Sequence, residues 1–294
     1  MCEGFSDKMS KEYFKNHDLS SIVVVRGGGD IATGTIVRLF RAGFPVLVLE
    51  SGHPSAIRRL VALCEAVYDG SAKVEGEEAV RIRDLSEMEE VLSSGKIPLF
   101  VDPEGEAIHS LHSRVVVDAI LAKKNLGTTH KAFPGSYLIA LGPGFTANPS
   151  DPEGVDCVIE TMRGHNLGRV IYNGQALANT GVPGIIAGHG ADRVMHAKAA
   201  GILTDVKKIG DVVKEGETIA EIRTEDGSLV PVPASLTGVI RGLIRSGFPV
   251  TEGFKIADID PRKEQVKNCS TISDKSRAIA GSVLEVVCRV LLNS

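Results

Sequence analysis

The chain has 294 residues, 33 basic and 37 acidic, with a formal net charge of −4 and 43% hydrophobic residues. This length gives two domains or one large one with ample core, and the evenly mixed charge leaves no electrostatic footprint for nucleic acid or an anionic membrane. Thirty-two glycines against 4% aromatics favour an α/β scaffold governed by backbone turns over an aromatic stacking platform.

Residues 1–20 mix Glu3, Asp7, Lys8, Lys11, Glu12 and Lys15, which makes them a loose N-terminal tail without the apolar stretch of a secretory signal. Ile22 to Val25 is a β-branched run suited to a strand buried on both faces. Ala32, Ile36, Leu39 and Phe40 share a helical face, and Gly43 stands where that helix ends. A second strand runs from Pro45 to Leu49 and ends in Glu50. A helix over about Asp84 to Ser94 and a strand at Ile97 to Val101 follow. The stripe Ile108, Leu111, Val115, Ala119 and Ala122 predicts another helix, and Tyr137 to Leu141 another strand. This alternation predicts a doubly wound, mostly parallel Rossmann-like sheet over residues 21–195. The uncharged stretch Ala132 to Ser150 contains Pro134, Pro143 and Pro149, so it cannot be a continuous membrane-spanning helix. Near Asn173-Gly174, Arg169 to Tyr172 and Gln175 to Ala178 predict a two-residue hairpin.

An internal repeat follows. GDVVKEGETIAEI (210–222) and GFPVTEGFKIADI (247–259) match at seven of thirteen positions with an offset of 37, which marks a duplicated β unit. Residues 196–262 resemble the biotinyl/lipoyl-type barrel-sandwich hybrid. Its carrier members need a lysine at the tip between the halves, and here that tip reads Arg223-Thr224-Glu225-Asp226-Gly227-Ser228. The expectation is a β module without biotin or lipoyl attachment, one that holds a partner or braces the main domain. Residues 263–294 form a polar linker and a C-terminal helix capped by Ser273 or Asp274, with Ile279, Val283, Val286, Val287 and Val290 on its apolar face. Packing back on the α/β sheet is the preferred cover for that face. A homo-oligomer interface is the second option.

The chemistry-bearing pattern is Gly27-Gly28-Gly29-Asp30-Ile31-Ala32, a G-x-G-x-x-A between a predicted strand and helix. Its glycines let a pyrophosphate approach the free amides of a helix N-terminus. Glu50, 21 residues beyond Gly29, stands near where an acid would bind ribose hydroxyls, and Arg26 is a cation that could neutralise Asp30. The loops at Glu50-Ser51-Gly52-His53, Asp102-Pro103 and Gly142-Pro143-Gly144-Phe145 all follow predicted strands, so one cleft is expected, with Gly142 and Gly144 allowing close contact with the ligand. The candidate cofactor-binding residues are therefore Gly27, Gly28, Gly29, Asp30, Ile31, Glu50, Gly142 and Gly144. His109 and His112 lack a third ligand, and no metal site is expected. His189 and the Arg163-Gly164-His165-Asn166 loop carry no assigned role. The five cysteines are scattered, consistent with a reducing compartment. Cys269 lies near a predicted helix N-terminus that could lower its pKa.

The strings VVVRGGGDIATGTIVRLFRAGFPVLVLE, HPSAIRRLVALCEAVYDG, PLFVDP, LIALGPGF, IETMRGHNLGRVI, ANTGVPG, DIDPR and CSTISDKSRAIAGSVLEVV, together spanning about 21–290, resemble the YqeB-like accessory proteins of selenium-dependent molybdenum hydroxylase systems. Cys157 departs from that family's small or apolar residue. The resemblance implies a cytoplasmic maturation factor whose Rossmann part is related to the accessory proteins of xanthine dehydrogenase. It implies as partners a molybdenum hydroxylase or its maturation proteins; with the glycine turn it makes the expected ligand a nucleotide-containing small molecule, the molybdopterin dinucleotide in this reading and NAD in the alternative. It also draws attention to Cys269, since sulfur or selenium delivery needs a nucleophilic thiol. The alternative is an NAD-dependent oxidoreductase or another nucleotide-using enzyme. Against it stands the absence of a Tyr-x-x-x-Lys or His–Asp pair accompanying the fingerprint.

Overall fold

The computed structural model describes residues 21–181 and 184–292, so the expected tail over 1–20 lies outside the described residues. The described chain is a mixed α/β protein that divides into two compact units, one of residues 21–54, 62–179 and 272–292, the other of 55–61, 180–181 and 184–271. These units do not follow chain order. Residues 180–195 and 55–61 group with the β module, and the C-terminal helix groups with the large sheet.

The first unit is built on a nine-stranded sheet. In chain order its elements are β1 (Val23–Arg26), α1 (Asp30–Arg41), β2 (Val46–Glu50), α2 (Ala66–Asp69), β3 (Ser71–Val74), β4 (Glu77–Ile82), α3 (Met88–Ser93), β5 (Ile97–Val101), α4 (Glu106–Leu111), β6 (Val115–Asp118), β7 (Tyr137–Leu141), β8 (Cys157–Ile159), β9 (Val170–Ile171) and α5 (Asp274–Leu292). The strands lie in the order β3-β4-β5-β2-β1-β6-β7-β8-β9. From β4 to β8 every pairing is parallel, and the edge strands β3 and β9 are antiparallel. From β1 the chain steps outward to β2, goes to the edge at β3, comes inward through β4 to β5, and then crosses to place β6 on the other side of β1. The connection direction therefore reverses between β1 and β6. The two central strands read Val-Val-Val-Arg and Val-Val-Val-Asp and are buried throughout, as strands covered on both faces must be.

Two expectations are corrected here. The predicted helix through Ile108, Leu111, Val115, Ala119 and Ala122 ends at Leu111, because His112 takes a left-handed conformation (φ 48°) as its cap. Val115–Asp118 is instead β6, as three consecutive β-branched residues prefer a pleated, doubly packed strand. The predicted hairpin around Asn173-Gly174 is absent as well. Val170 and Ile171 pair with β8, Gly174 bridges to Ala147, and the Leu177 amide donates to Glu160 at 2.8 Å, so both flanks are used elsewhere. The β3–β4 hairpin was not anticipated; its turn is Glu75-Gly76, both at positive φ (49° and 98°).

The sheet also departs from a fully doubly wound pattern. No α-helix stands between β6 and β7 or between β7 and β8. The C-terminal helix α5 packs on α1 and touches β8, and it buries Ile279, Val283, Val286 and Val287. The cover of its apolar face is thus chiefly the neighbouring helix α1, and the sheet itself, the expected cover, is met at β8.

The second unit contains β10 (Val194–His196), β11 (Gly201–Asp205), β12 (Val212–Val213), β13 (Thr218–Arg223), β14 (Leu229–Pro233), β15 (Gly238–Leu243), β16 (Pro249–Val250) and β17 (Lys255–Asp260). They form two four-stranded sheets, β10-β17-β15-β12 and β14-β13-β11-β16. Adding 37 to β10–β13 reproduces β14–β17, and the same exchange turns one strand order into the other. Even the irregularities agree: the shift between Met195 and His196 against β17 has its twin between Thr218 and Ala220 against β14. The duplication therefore begins two strands earlier than the repeat strings, with Ala197 matching Ala234. Each half lends its short strand, β12 or β16, to the other half's sheet. A shared core of Leu203, Ile219, Ile222, Ile240, Leu243, Ile256 and Ile259 fills the space between them.

Candidate functional site

Because β4 to β8 are parallel, their carboxyl ends share one edge of the sheet. The glycine turn, Glu50, Asp102, Asp118 and Gly142 all sit at strand ends on that edge, beside the reversal point between β1 and β6, where open parallel sheets bind ligands.

The three glycines do different work. Gly27 needs its positive φ (95°), and a Cβ there would press on the Ala119 carbonyl and Ile120. Gly28 is enclosed by the protein itself: its carbonyl accepts from the Cys64 amide at 2.9 Å, and a Cβ would meet the Cys64 backbone at 3.0 Å. Gly29 caps α1 from extended backbone (φ −66°, ψ −177°), and nothing lies within 4 Å of where its Cβ would be. The space open to a ligand is therefore at Gly29, ahead of Asp30 and Ile31, whose amides open the twelve-residue helix α1.

Glu50 folds back over this turn. Its carboxylate accepts from the Gly28 amide at 2.8 Å and from the Ser51 amide at 2.7 Å. Asp30 and Glu65 stand near as well. Burial, helped by the charges of Glu50, Glu65 and Asp30, pushes the Cys64 thiol well above the ordinary cysteine range. The donors at the helix N-terminus are thus ringed by carboxylates. That setting suits hydroxyl groups of a ribose, and it suits phosphate when the phosphate arrives with a cation.

Arg26 does not serve Asp30 as the sequence suggested. Its guanidinium is buried and donates to Thr128 Oγ1 at 2.6 Å and to the Pro103 carbonyl at 2.7 Å. It stands 4.0 Å from Asp118 Oδ2 and 5.5 Å from the centre of the Phe133 ring. Thr128 in turn donates to Asp118 Oδ2 at 2.5 Å, and the Ile120 amide donates to Oδ1 at 3.1 Å. Burial raises the Asp118 carboxyl above its usual range, against the opposing pull of Thr128 and Arg26. This charged network bridges the ends of β1 and β6 at the reversal point. Sequence reasoning missed it, although two Val-Val-Val runs ending in opposite charges were its signal.

The remaining predicted positions serve the protein's own packing. A Cβ on Gly142 would strike the Thr161 side chain, and one on Gly144 would strike the Lys124 backbone at 2.8 Å, so loops of the chain fill both spaces. Asp102 caps α4 by accepting from Gly105 and Ala107 amides at 2.9 and 2.8 Å. Cys269 lies at the end of a 3-10 turn, five residues before α5 begins, and its buried thiol is raised by desolvation. That reverses the expected lowering, because α5 starts too late to offer Cys269 its dipole. Burial likewise pushes Cys157 up to about 12. His109 and His112 are exposed. Among the described residues no group of three or more His, Cys, Asp or Glu side chains is arranged to hold a metal ion, and no helix is long and apolar enough to cross a membrane.

No known family profile matches the chain. Over 268 residues, 90% of its length, it is 49% identical to the Escherichia coli (strain K12) protein named Uncharacterized protein YqeB, of which it covers 47%. The chain is thus YqeB-like along most of its length but spans about half the length of that relative. Among solved structures, it aligns with the product-bound ectoine utilization protein EutE (DoeB) of Ruegeria pomeroyi at 11% identity and a TM-score of 0.26, covering 81% of this chain and 84% of that one. It also aligns with a succinylglutamate desuccinylase/aspartoacylase of Rhodobacter sphaeroides at 14% identity and a TM-score of 0.27, covering 81% and 85%. Likenesses at those scores carry neither fold nor chemistry across.

Proposed function

We propose that this chain is an accessory factor in the maturation of selenium-dependent molybdenum hydroxylases, and that it holds a nucleotide-containing ligand at the glycine turn. In this reading the large sheet is Rossmann-like, since its parallel strands β5-β2-β1-β6-β7-β8 follow the dinucleotide-binding order. The duplicated module is a barrel-sandwich hybrid without a carrier lysine, and it docks the target enzyme. The observation that carries the reading is the meeting, at one strand-order reversal, of an open helix N-terminus at Gly29 with an acid at Glu50. Glu50 would bind ribose hydroxyls, and the α1 amides would take the diphosphate, whose charge a bound cation offsets against Asp30 and Glu65.

Calorimetric titration with molybdopterin dinucleotide and, separately, with NADH, each with and without Mg²⁺, tests this. Retention of the pterin dinucleotide without hydride transfer from NADH is expected. Tight NADH binding with hydride transfer to a small molecule would replace the reading with an NAD-dependent oxidoreductase. The variant Gly29→Val separates the site from the fold. Its Cβ enters open space at an allowed φ, so the thermal midpoint should hold while affinity drops by at least about tenfold, or 1.4 kcal/mol. Unchanged affinity in that variant would place the ligand elsewhere.

A further inference from the structure

The two halves of the duplicated module are alike in strand order and register but differ in what covers their outer faces. On the sheet of β15 and β17, Val239 is 0% exposed although it alternates away from the core residue Ile240. Asp260, opposite Val239, is 1% exposed and accepts from Arg262 at 2.8 and 2.9 Å. The 3-10 turn Lys263–Asn268 packs on β15, and the Cys269 thiol lies 3.8 Å from the Ile240 carbonyl. The chain's own continuation closes this face.

Its twin is open. Val239 corresponds to Ile202, which is 44% exposed, and Asp260 corresponds to the exposed Arg223. Register aligns Pro249, Ile202, Arg223 and Leu229 in one row across four strands, and Leu229 is 52% exposed. The next row holds Thr204, Glu221 and Pro231. Among the described residues no segment covers this face as residues 263–268 cover the other. Thirty-seven residues before Lys263 the chain is in the tight turn Thr224–Ser228, closed by the Thr224 amide donating to the Ser228 carbonyl at 3.0 Å, and it passes straight into β14.

We propose that this open face of β11, β13 and β14 is a homodimer interface whose occupant is a second copy of the chain. Charge selects that occupant. Glu221 and Arg223 are two residues apart on β13 and so point to the same face, and neither side chain has a partner among the described residues. A two-fold axis between them sets Arg223 of each copy against Glu221 of the other, with Ile202 and Leu229 alongside. A two-fold contact needs this self-complementarity. Pro231 and Pro233 on the edge strand β14 remove amides that edge-to-edge pairing would use, which leaves face-to-face packing as the route.

Sedimentation velocity on the full chain, over low to high micromolar concentration, tests the proposal. The expected result is a species of twice the chain mass that Ile202→Glu converts to monomer. Glu221→Arg and Arg223→Glu alone should each weaken the dimer about tenfold, and the two together should restore it. Circular dichroism of these surface variants should match the parent, and their thermal midpoints should match it at concentrations where the parent is dissociated. A parent chain that stays monomeric throughout, a dimer that survives Ile202→Glu, or a double charge reversal no tighter than either single change would each overturn the proposal. A monomeric parent that instead binds a different protein through Ile202 would also overturn it, by assigning the face to a heterologous partner.

Discussion

His130 shows how a residue with no marked sequence context is tied into the fold. Its Nδ1 lies 3.0 Å from the Asp151 carbonyl and its Nε2 3.0 Å from Asp156 Oδ2, and Asp156 also accepts from the Leu138 amide at 2.7 Å. Burial alone would lower the imidazole pKa, but the Asp151 carbonyl and the Asp156 carboxylate reverse this and raise it. A raised folded-state pKa contributes stability in full below the unfolded value and loses it as pH rises through the folded value. Urea midpoints should therefore show the parent losing its advantage over His130→Gln as pH rises above about 6.5. Parallel pH profiles for the two chains would mean that the pair adds nothing. The same scale explains which site residues could be read. Gly29 and Glu50 stand at fixed positions relative to a strand end, so local pattern located them. Arg26 found Asp118 and Thr128 because the topology set β6 beside β1, a pairing 92 residues apart that no local pattern carries.

At the scale of elements, the α1–α5 contact turns on one missing side chain. Gly34 sits inside α1, where alanine would ordinarily be worth about 1 kcal/mol more. A Cβ there would collide with Ser276 Oγ and press on Ile272. Ser276 uses that hydroxyl to donate to the Ile31 carbonyl at 2.9 Å, so the close approach is bonded as well as packed. Gly34→Leu should destabilise the chain by about 1–3 kcal/mol, the usual cost of overpacking, despite its better helix propensity. Denaturant midpoints will check this, and a stabilised variant would mean that the two helices do not meet at Gly34. Periodicity predicted α1 and α5 well because each presents one continuous apolar stripe. It misplaced residues 115–118 because Ile108, Leu111, Val115 and Ala119 fit a helical spacing by coincidence, and the left-handed His112 that breaks the run is invisible in a residue pattern.

Across the whole molecule, the chain's path and its compact units diverge. Residues 55–61 leave the large sheet's unit and join the β module, where the Ile57 carbonyl accepts from the Leu243 amide at 2.8 Å. Arg59 donates to the Leu243 carbonyl at 2.7 Å and pairs with Asp205 at 3.2 Å. Burial raises the Asp205 carboxyl, and Arg59 is the main force opposing that rise. Arg59→Ala should cost about 1–3 kcal/mol by leaving partly buried groups unmatched. Arg59→Lys should recover only part of this, since an ammonium lacks the fork that reaches both partners. Equal stability of all three chains in urea would show that segment 55–61 is not needed by the module.

What the sequence determined by itself follows from short-range rules. The strands at Val23–Arg26 and Val46–Glu50, the helices α1 and α5, the glycine turn and the 37-residue duplication each need only neighbours along the chain, and each is present where its residues predict. The tertiary structure alone decided what those pieces meet. It placed α5 on α1, drew 55–61 into the module, enclosed Gly28 against Cys64, filled the space at Gly142 and Gly144 with the chain's own loops, and left one of two equivalent sheet faces bare. The physical reason is that burial is a long-range competition. Which surface covers a given apolar face or buried charge depends on every other surface available, and neighbouring residues hold no record of the outcome.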